Sequence, residues 1–173
     1  LQRTWVQINQ MLDQNRLPAA LLFTAADGVG ACGLARVLAR FLLCDAPRQM
    51  NPCGQCAGCL LLANHNHPDL FILEPEEDSK FIKIAQIRGL NDFVANTAQQ
   101  SGRKLVVIDP ADAMNSNAAN ALLKNLEEPI GQTVFILVSV NPSRLLATIK
   151  SRCTRISLDA PPRAEALAWL QQQ

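Results

Sequence analysis

Four cysteines and one glycine loop are the groups whose types and spacing could do chemistry in this chain. Cys44, Cys53, Cys56 and Cys59 follow the pattern C-x8-C-x2-C-x2-C. Two overlapping C-x2-C steps let thiolates converge on one ion, and Gly54 and Gly58 are expected to permit the tight turns between them. Four thiolates suit a closed tetrahedral Zn²⁺ site with no open position for water, which makes the metal structural. An iron–sulfur cluster also takes four cysteines, but nothing else in the sequence points to redox work. Free surface thiols are the remaining reading, and they fit this density poorly. His65 and His67 are surplus once four cysteines are available and read as polar loop residues ahead of a strand. Cys32 and Cys153 stand apart and read as small, semi-buried thiols.

The glycine loop lies between Leu21 and Leu43. An apolar strand leads into Thr24 to Gly30, and a helix rich in Ala, Leu and Arg follows. This is the layout of a P-loop. There, backbone N–H groups at a helix N-terminus cradle phosphates, a Lys reaches the β/γ-phosphates, and a Ser or Thr hydroxyl holds Mg²⁺. Gly28 and Gly30 stand at the loop-glycine positions, but the Lys position holds Ala31 and the Ser/Thr position holds Cys32. A working ATPase of this layout also needs an acidic pair at the end of its third strand. Asp109 is present and Pro110 stands beside it, so the base is missing; Asp112 lies three residues on and in a different direction. Three departures hit three separate roles, so no bound ATP is expected. The glycines alone are a weak signal that a plain turn would also produce.

Two further stretches carry charge. Glu127-Glu128 read as solvated acids at a helix end, where carboxylates are unfavourable, which hints at a partner or a contact with Lys124. Arg152, taken alone, reads as a surface arginine paired with a nearby carboxylate.

The elements that must position these groups alternate. Val6, Ile8, Met11 and Leu12 have roughly helical spacing, and Leu17-Pro18 breaks the pattern before a strand over Ala20 to Phe23. The helix after Gly30 places Leu34, Val37, Leu38, Phe41 and Leu42 on one face. Residues 44 to 67 interrupt the alternation with the cysteine module. A strand over Leu70 to Leu73 and an acidic turn from Glu74 to Ser79 come next. A long helix runs from Ile82, with Ala98 near its end. Leu105 to Ile108 is the most apolar strand, closed by Asp109. A helix over Asn115 to Leu126 is capped by Asn115 or Ser116. Val134 to Val140 is a further strand, Ser143 to Ile149 a short helix, and Arg155 to Leu158 a fifth strand. Pro161-Pro162 reads as a linker, and Glu165 to Leu170 starts another helix. The expectation is an α/β fold with a five-stranded parallel sheet and helices on both faces. Residues 1–159 form the nucleotide-binding-fold domain with the zinc module 44–67 inserted, and 160–173 begin a small helical lid domain.

Composition bounds the rest. The 173 residues carry a net charge of +1, so charge gives no argument for a nucleic-acid footprint. Residues 44 to 67 contain Arg48 but no Lys and no aromatic residue. A zinc-dependent nucleic-acid binder would need basic groups for phosphate and rings for stacking. No apolar run reaches the ~20 residues that cross a bilayer, and the start lacks a signal-peptide pattern. Cytoplasm is therefore expected, and there six cysteines favour metal over disulfides. The chain begins without Met and ends in Gln171-Gln172-Gln173 inside a helical pattern, so a piece of a longer protein is expected.

Five stretches together carry a resemblance: the 21–30 strand and loop; the four cysteines; Val106-Val107-Ile108-Asp109; Ala118 to Pro129, with its Leu-Leu-Lys-Asn-Leu-Glu-Glu-Pro run; and Leu145 to Cys153, with Ser151-Arg152-Cys153. The sequence resembles the N-terminal part of the delta-prime subunits of the bacterial DNA polymerase III clamp loader, in the AAA+ superfamily. The altered loop resembles those subunits rather than the ATP-hydrolysing ones, which keep Lys and Thr at positions 31 and 32. The resemblance implies a non-hydrolysing subunit of the polymerase holoenzyme, not itself an enzyme. It would join other subunits in a hetero-oligomeric ring that loads a sliding clamp on primed DNA. It implies that Arg152 reaches the γ-phosphate of ATP held by a neighbour, that Ser139 stands at a γ-phosphate-sensing position, and that a collar lies further along the chain. The competing reading is an active ATPase subunit with an atypical loop, which Ala31 and Pro110 oppose.

Overall fold

A computed structural model describes residues 2–48 and 51–160. The linker expected at Pro161-Pro162 and the helix expected from Glu165 lie outside the described residues.

Helix α1 (Gln2–Asp13) precedes strand β1 (Ala20–Ala25), and helix α2 (Ala31–Leu42) follows the glycine loop. The cysteine module contains helix α3 (Ala57–Ala63). Then come β2 (Leu70–Leu73), α4 (Ile84–Ala95), β3 (Lys104–Ile108), α5 (Ser116–Glu127), β4 (Thr133–Ser139), α6 (Ala147–Lys150) and β5 (Thr154–Leu158). The five strands form one parallel sheet in the order β2-β3-β4-β1-β5. Strands β1, β3 and β4 are buried along their whole length, as central strands covered on both faces must be.

Alternation along the strands divides the core into two layers. Leu21, Phe23, Leu105, Val107, Ile136 and Ile156 face α1 and α2, meeting Ile8, Leu34 and Leu38. Leu22, Val106, Ile108, Phe135 and Leu137 face the other way, onto Ile87 and Leu90 of α4, Leu122 and Leu126 of α5, and Ile149 of α6. On α2 the apolar stripe is narrower than its spacing suggested, because Val37 turns outward and is 41% exposed.

Several details differ from the expectation. Strand β1 runs on through Thr24 and Ala25, which pair with Ser157 and Leu158 of β5. Helix α4 stops at Ala95 rather than near Ala98. The N–H groups of Gln99, Gln100 and Ser101 turn instead onto the carboxylate of Asp69, at 2.7–2.8 Å. The short helix expected over Ser143 to Ile149 is split. A 3₁₀ turn at Pro142–Arg144 is followed by extended Leu145 and Leu146 before α6, which lets Leu145 enter the core. Gly58 does not make a turn: it lies within α3, where a Cβ would stand 2.4 Å from the Leu43 carbonyl oxygen. The glycine there permits a close approach of α3 to the end of α2.

Candidate functional site

The cysteine module brings all four predicted thiols together. Their Sγ atoms lie within 4.8 Å of one another, with Cys44 and Cys56 at 3.8 Å and Cys53 and Cys59 at 4.0 Å. A tetrahedron of Zn–S bonds near ~2.3 Å needs sulfur separations of about 3.8 Å, so the donor set fits a metal ion. Gly54, in the left-handed region at φ 74°, turns the chain between Cys53 and Cys56. Backbone N–H groups point at the sulfurs: Cys53 donates to Cys44, Asp45 and Cys59 to Cys56, and Cys56 to Cys53, at 3.2–3.4 Å. Hydrogen bonds from the Gln55 and Cys56 amides lower the Cys53 thiol to about 6. Burial pushes Cys59 up to about 12 and raises Cys44 as well. A bound cation would reverse those rises, because a metal deprotonates a coordinating thiol.

His65 and His67 take no part in the cluster. His65 is exposed in a left-handed conformation at φ 56°. His67 is buried rather than a surface loop residue. Its Nδ1 accepts the Asp69 N–H at 3.1 Å, and its Nε2 has no partner among the described residues. Burial lowers its pKa.

The glycine loop follows β1 at the carboxyl edge of the sheet, where open parallel sheets take ligands. Gly28 and Gly30 both have positive φ, 78° and 95°. Gly30 caps α2 with no side-chain hydrogen bond, so the first amides of α2 are left without an intrahelical partner. Ala31 is buried in the first turn of α2. The Cys32 thiol lies near enough to the Asp109 carboxylate and the Arg36 guanidinium for both charges to act on it. Burial raises its pKa first, Asp109 raises it further, and Arg36 opposes both. Arg36 also meets Glu74, at the carboxyl end of β2, with Nη2 to Oε1 at 2.7 Å. Its own pKa is raised by Cys32 first, then by Glu74 and Asp109.

Sequence reasoning missed Arg36 and Glu74. Arg36 lies one turn along α2 from Cys32, which was a readable signal. Glu74 becomes relevant only once β2 and β3 are known to be neighbours, with Asp109 N–H donating to Leu73 O at 3.0 Å.

Asp112 does not face the loop as a replacement base. Its Oδ1 accepts the Ser139 hydroxyl at 2.6 Å and the Val140 N–H at 3.2 Å. Ser139 is fully buried in that bond, which ties the end of β4 to the 3₁₀ turn Ala111–Ala113.

Arg152 lies just past α6 and meets Glu127, with Nη2 to Oε1 at 2.5 Å. Its Nη1 donates to the Thr148 carbonyl at 2.9 Å. Glu127 therefore stays solvated, with its side chain 47% exposed, and its ion-pair partner is Arg152 rather than Lys124. Neighbouring Cys153 is packed at the core margin, and burial pushes its thiol up to about 11.

A family model described as "DNA polymerase III, delta subunit" matches residues 1–162. The chain belongs to that family. Relatives named DNA polymerase III subunit delta' include one from Pseudomonas aeruginosa, 53% identical over 152 residues, which are 88% of this chain and 46% of that protein. The one from Escherichia coli K12 is 39% identical over 154 residues, 89% of this chain and 46% of that protein. The chain thus spans about half the length of the curated relatives it matches. A Thermotoga maritima DNA polymerase III gamma subunit-related protein has the same fold, with a TM-score of 0.71 at 23% identity. That match covers 95% of this chain and 48% of the other. A RuvB structure from the same organism matches at 0.54 and 11% identity, over 91% of this chain and 43% of its own. Among the described residues of this delta-family chain, no helix is long and apolar enough to cross a membrane.

Proposed function

We propose that this chain is the N-terminal part of a non-hydrolysing clamp-loader subunit that acts on the ATP of a neighbour. The observation that carries the reading is the cluster at the carboxyl edge of the sheet. The helix-terminal cradle is built, yet Ala31 supplies no cation and Cys32 no metal-binding hydroxyl. Arg36 pairs with Glu74 beside Asp109, so a cation of the chain's own already stands at this edge. An edge without the lysine and the hydroxyl lacks the side chains that hold Mg-ATP in a P-loop. Family membership supports the remainder. The relatives are named as subunits of DNA polymerase III, so the partners are other subunits in a hetero-oligomeric ring. A sliding clamp and primer-template DNA are met through that assembly, in the cytoplasm.

Arg152 is the residue that acts in trans. An arginine is always charged, planar and able to fork onto phosphate oxygens, and arginine fingers contribute on the order of 10³–10⁵ in phosphoryl transfer. The four cysteines hold structural Zn²⁺. The module has no open coordination position for catalysis, and its donors brace the junction of α2 and α3.

The experiment is reconstitution of the full-length protein carrying Arg152→Ala with its partner subunits. ATP hydrolysis by the assembly should fall while ATP binding by the neighbour is unchanged. Hydrolysis at the wild-type rate in a fully assembled variant would remove the trans role.

A further inference from the structure

Glu127 stands where a carboxylate is electrostatically unwelcome. It is the last residue of α5, and the C-terminal end of a helix disfavours negative charge. Among the described residues Lys124 makes no ion pair with it, and its partner is Arg152. Glu127 ends α5 and Arg152 lies just past α6, two helices whose Leu126 and Ile149 belong to one core layer.

The form of the contact decides what it can do. Arginine–carboxylate pairs are frequently bidentate, with both oxygens on the fork. Here one oxygen, Oε1, meets one terminal nitrogen, Nη2. The other terminal nitrogen is taken by the Thr148 carbonyl at 2.9 Å, with Ser151 Oγ at 3.4 Å. Nε has no partner among the described residues, and a guanidinium carries five N–H donors in a fixed plane. Two anchors on different elements therefore fix the plane and leave the Nε side able to donate. The Arg152 side chain as a whole is 32% exposed.

We infer that Glu127 is a positioning residue: it anchors Arg152 so that the unused edge of the guanidinium is presented, pre-oriented, to the γ-phosphate on the neighbouring subunit. This rests on the reading of Arg152 as the trans-acting group. Glu127 touches neither ATP nor the reacting atoms, and its effect runs wholly through Arg152.

The test is a double-mutant cycle in the reconstituted complex of full-length subunits, read by single-turnover ATP hydrolysis. The rate that disappears in Arg152→Ala is the Arg152-dependent rate. Glu127→Gln, which keeps the shape and removes the charge, is expected to lower that rate about tenfold, within the range that misplacement of a reacting group costs. The half-saturating ATP concentration should not move, because ATP sits in the neighbour's cradle. On the Arg152→Ala background the same substitution should change nothing. An unchanged or faster rate in Glu127→Gln, with Arg152→Ala slow, overturns the positioning role and leaves the trans arginine standing. An equal loss on both backgrounds also overturns it, since Glu127 would then act elsewhere. A wild-type rate in Arg152→Ala overturns both readings. Glu127→Asp, which retains the charge, guards against an assembly defect. If neither variant assembles, Glu127 is a residue of the fold and the inference falls.

Discussion

Asp69 is the most constrained carboxylate of the described residues. It is fully buried, which alone would raise its pKa, yet the amides of Gln99, Ser101 and Gln100 and the Ser101 hydroxyl outweigh that and hold it below its ordinary value. A carboxyl depressed in the folded state adds stability above its unfolded value, ~3.9, and that stability is lost as pH falls through the lowered folded value. Asp69→Asn would turn an amide N–H toward donors and should cost about 1–3 kcal/mol at pH 7. The gap in melting temperature between variant and wild type should then narrow on going from pH 7 to pH 3. A constant gap would contradict the assignment. Nothing in the sequence marked Asp69, because its donors lie 30 to 32 residues away. The cysteines were legible for the opposite reason: their partners are one another, at short spacing. Glu127 and Arg152 were each noticed, but their pairing needed the packing of α5 on α6.

At the scale of elements, the module and the caps are separable units. Cys56 is both a donor of the cluster and the N-cap of α3, accepting the Cys59 N–H. Cys56→Ser, or removal of metal by a chelator, should lower the melting temperature, because structural zinc contributes folding energy directly. Ring assembly at low temperature should persist, since the sheet core does not pass through the sulfurs; loss of assembly in a still-folded variant would count against a bracing role. Gly58→Ala should be at least as damaging as a surface substitution elsewhere in the module. Its Cβ meets backbone, the Leu43 carbonyl, which cannot move aside without shifting the end of α2; a melting curve identical to wild type would refute that contact. Asn115→Ala removes the side-chain bond to the Ala118 N–H at 2.8 Å and should cost about 1 kcal/mol in denaturant unfolding. Strand and helix types were readable from apolar periodicity. Helix α3 was not, because its seven residues are too few for a period to emerge among cysteines and glycines. The end of α4 was not, because the chain turns extended at Asn96 and leads the 99–101 amides onto a distant acceptor, Asp69.

At the scale of the whole molecule, parallel strands and a two-layer core follow from the alternation of strands and helices, but the strand order does not. That order sets Glu74 of the β2 end beside Asp109 of the β3 end, where Arg36 of α2 pairs with Glu74. The sequence marked Ala31, Cys32 and Pro110 as departures from an ATPase; the internal charge pairing that accompanies them is visible only in three dimensions. On the proposed reading, the chain keeps the shape of a nucleotide-binding fold and contributes Arg152 to a neighbour's ATP. The most direct measurement is calorimetric titration of Mg-ATP into the full-length protein, alone and free of its partners. The account predicts no binding heat up to millimolar ATP. Micromolar binding would contradict it, since the loop would then grip phosphate through backbone amides alone and the chain would hold an ATP of its own.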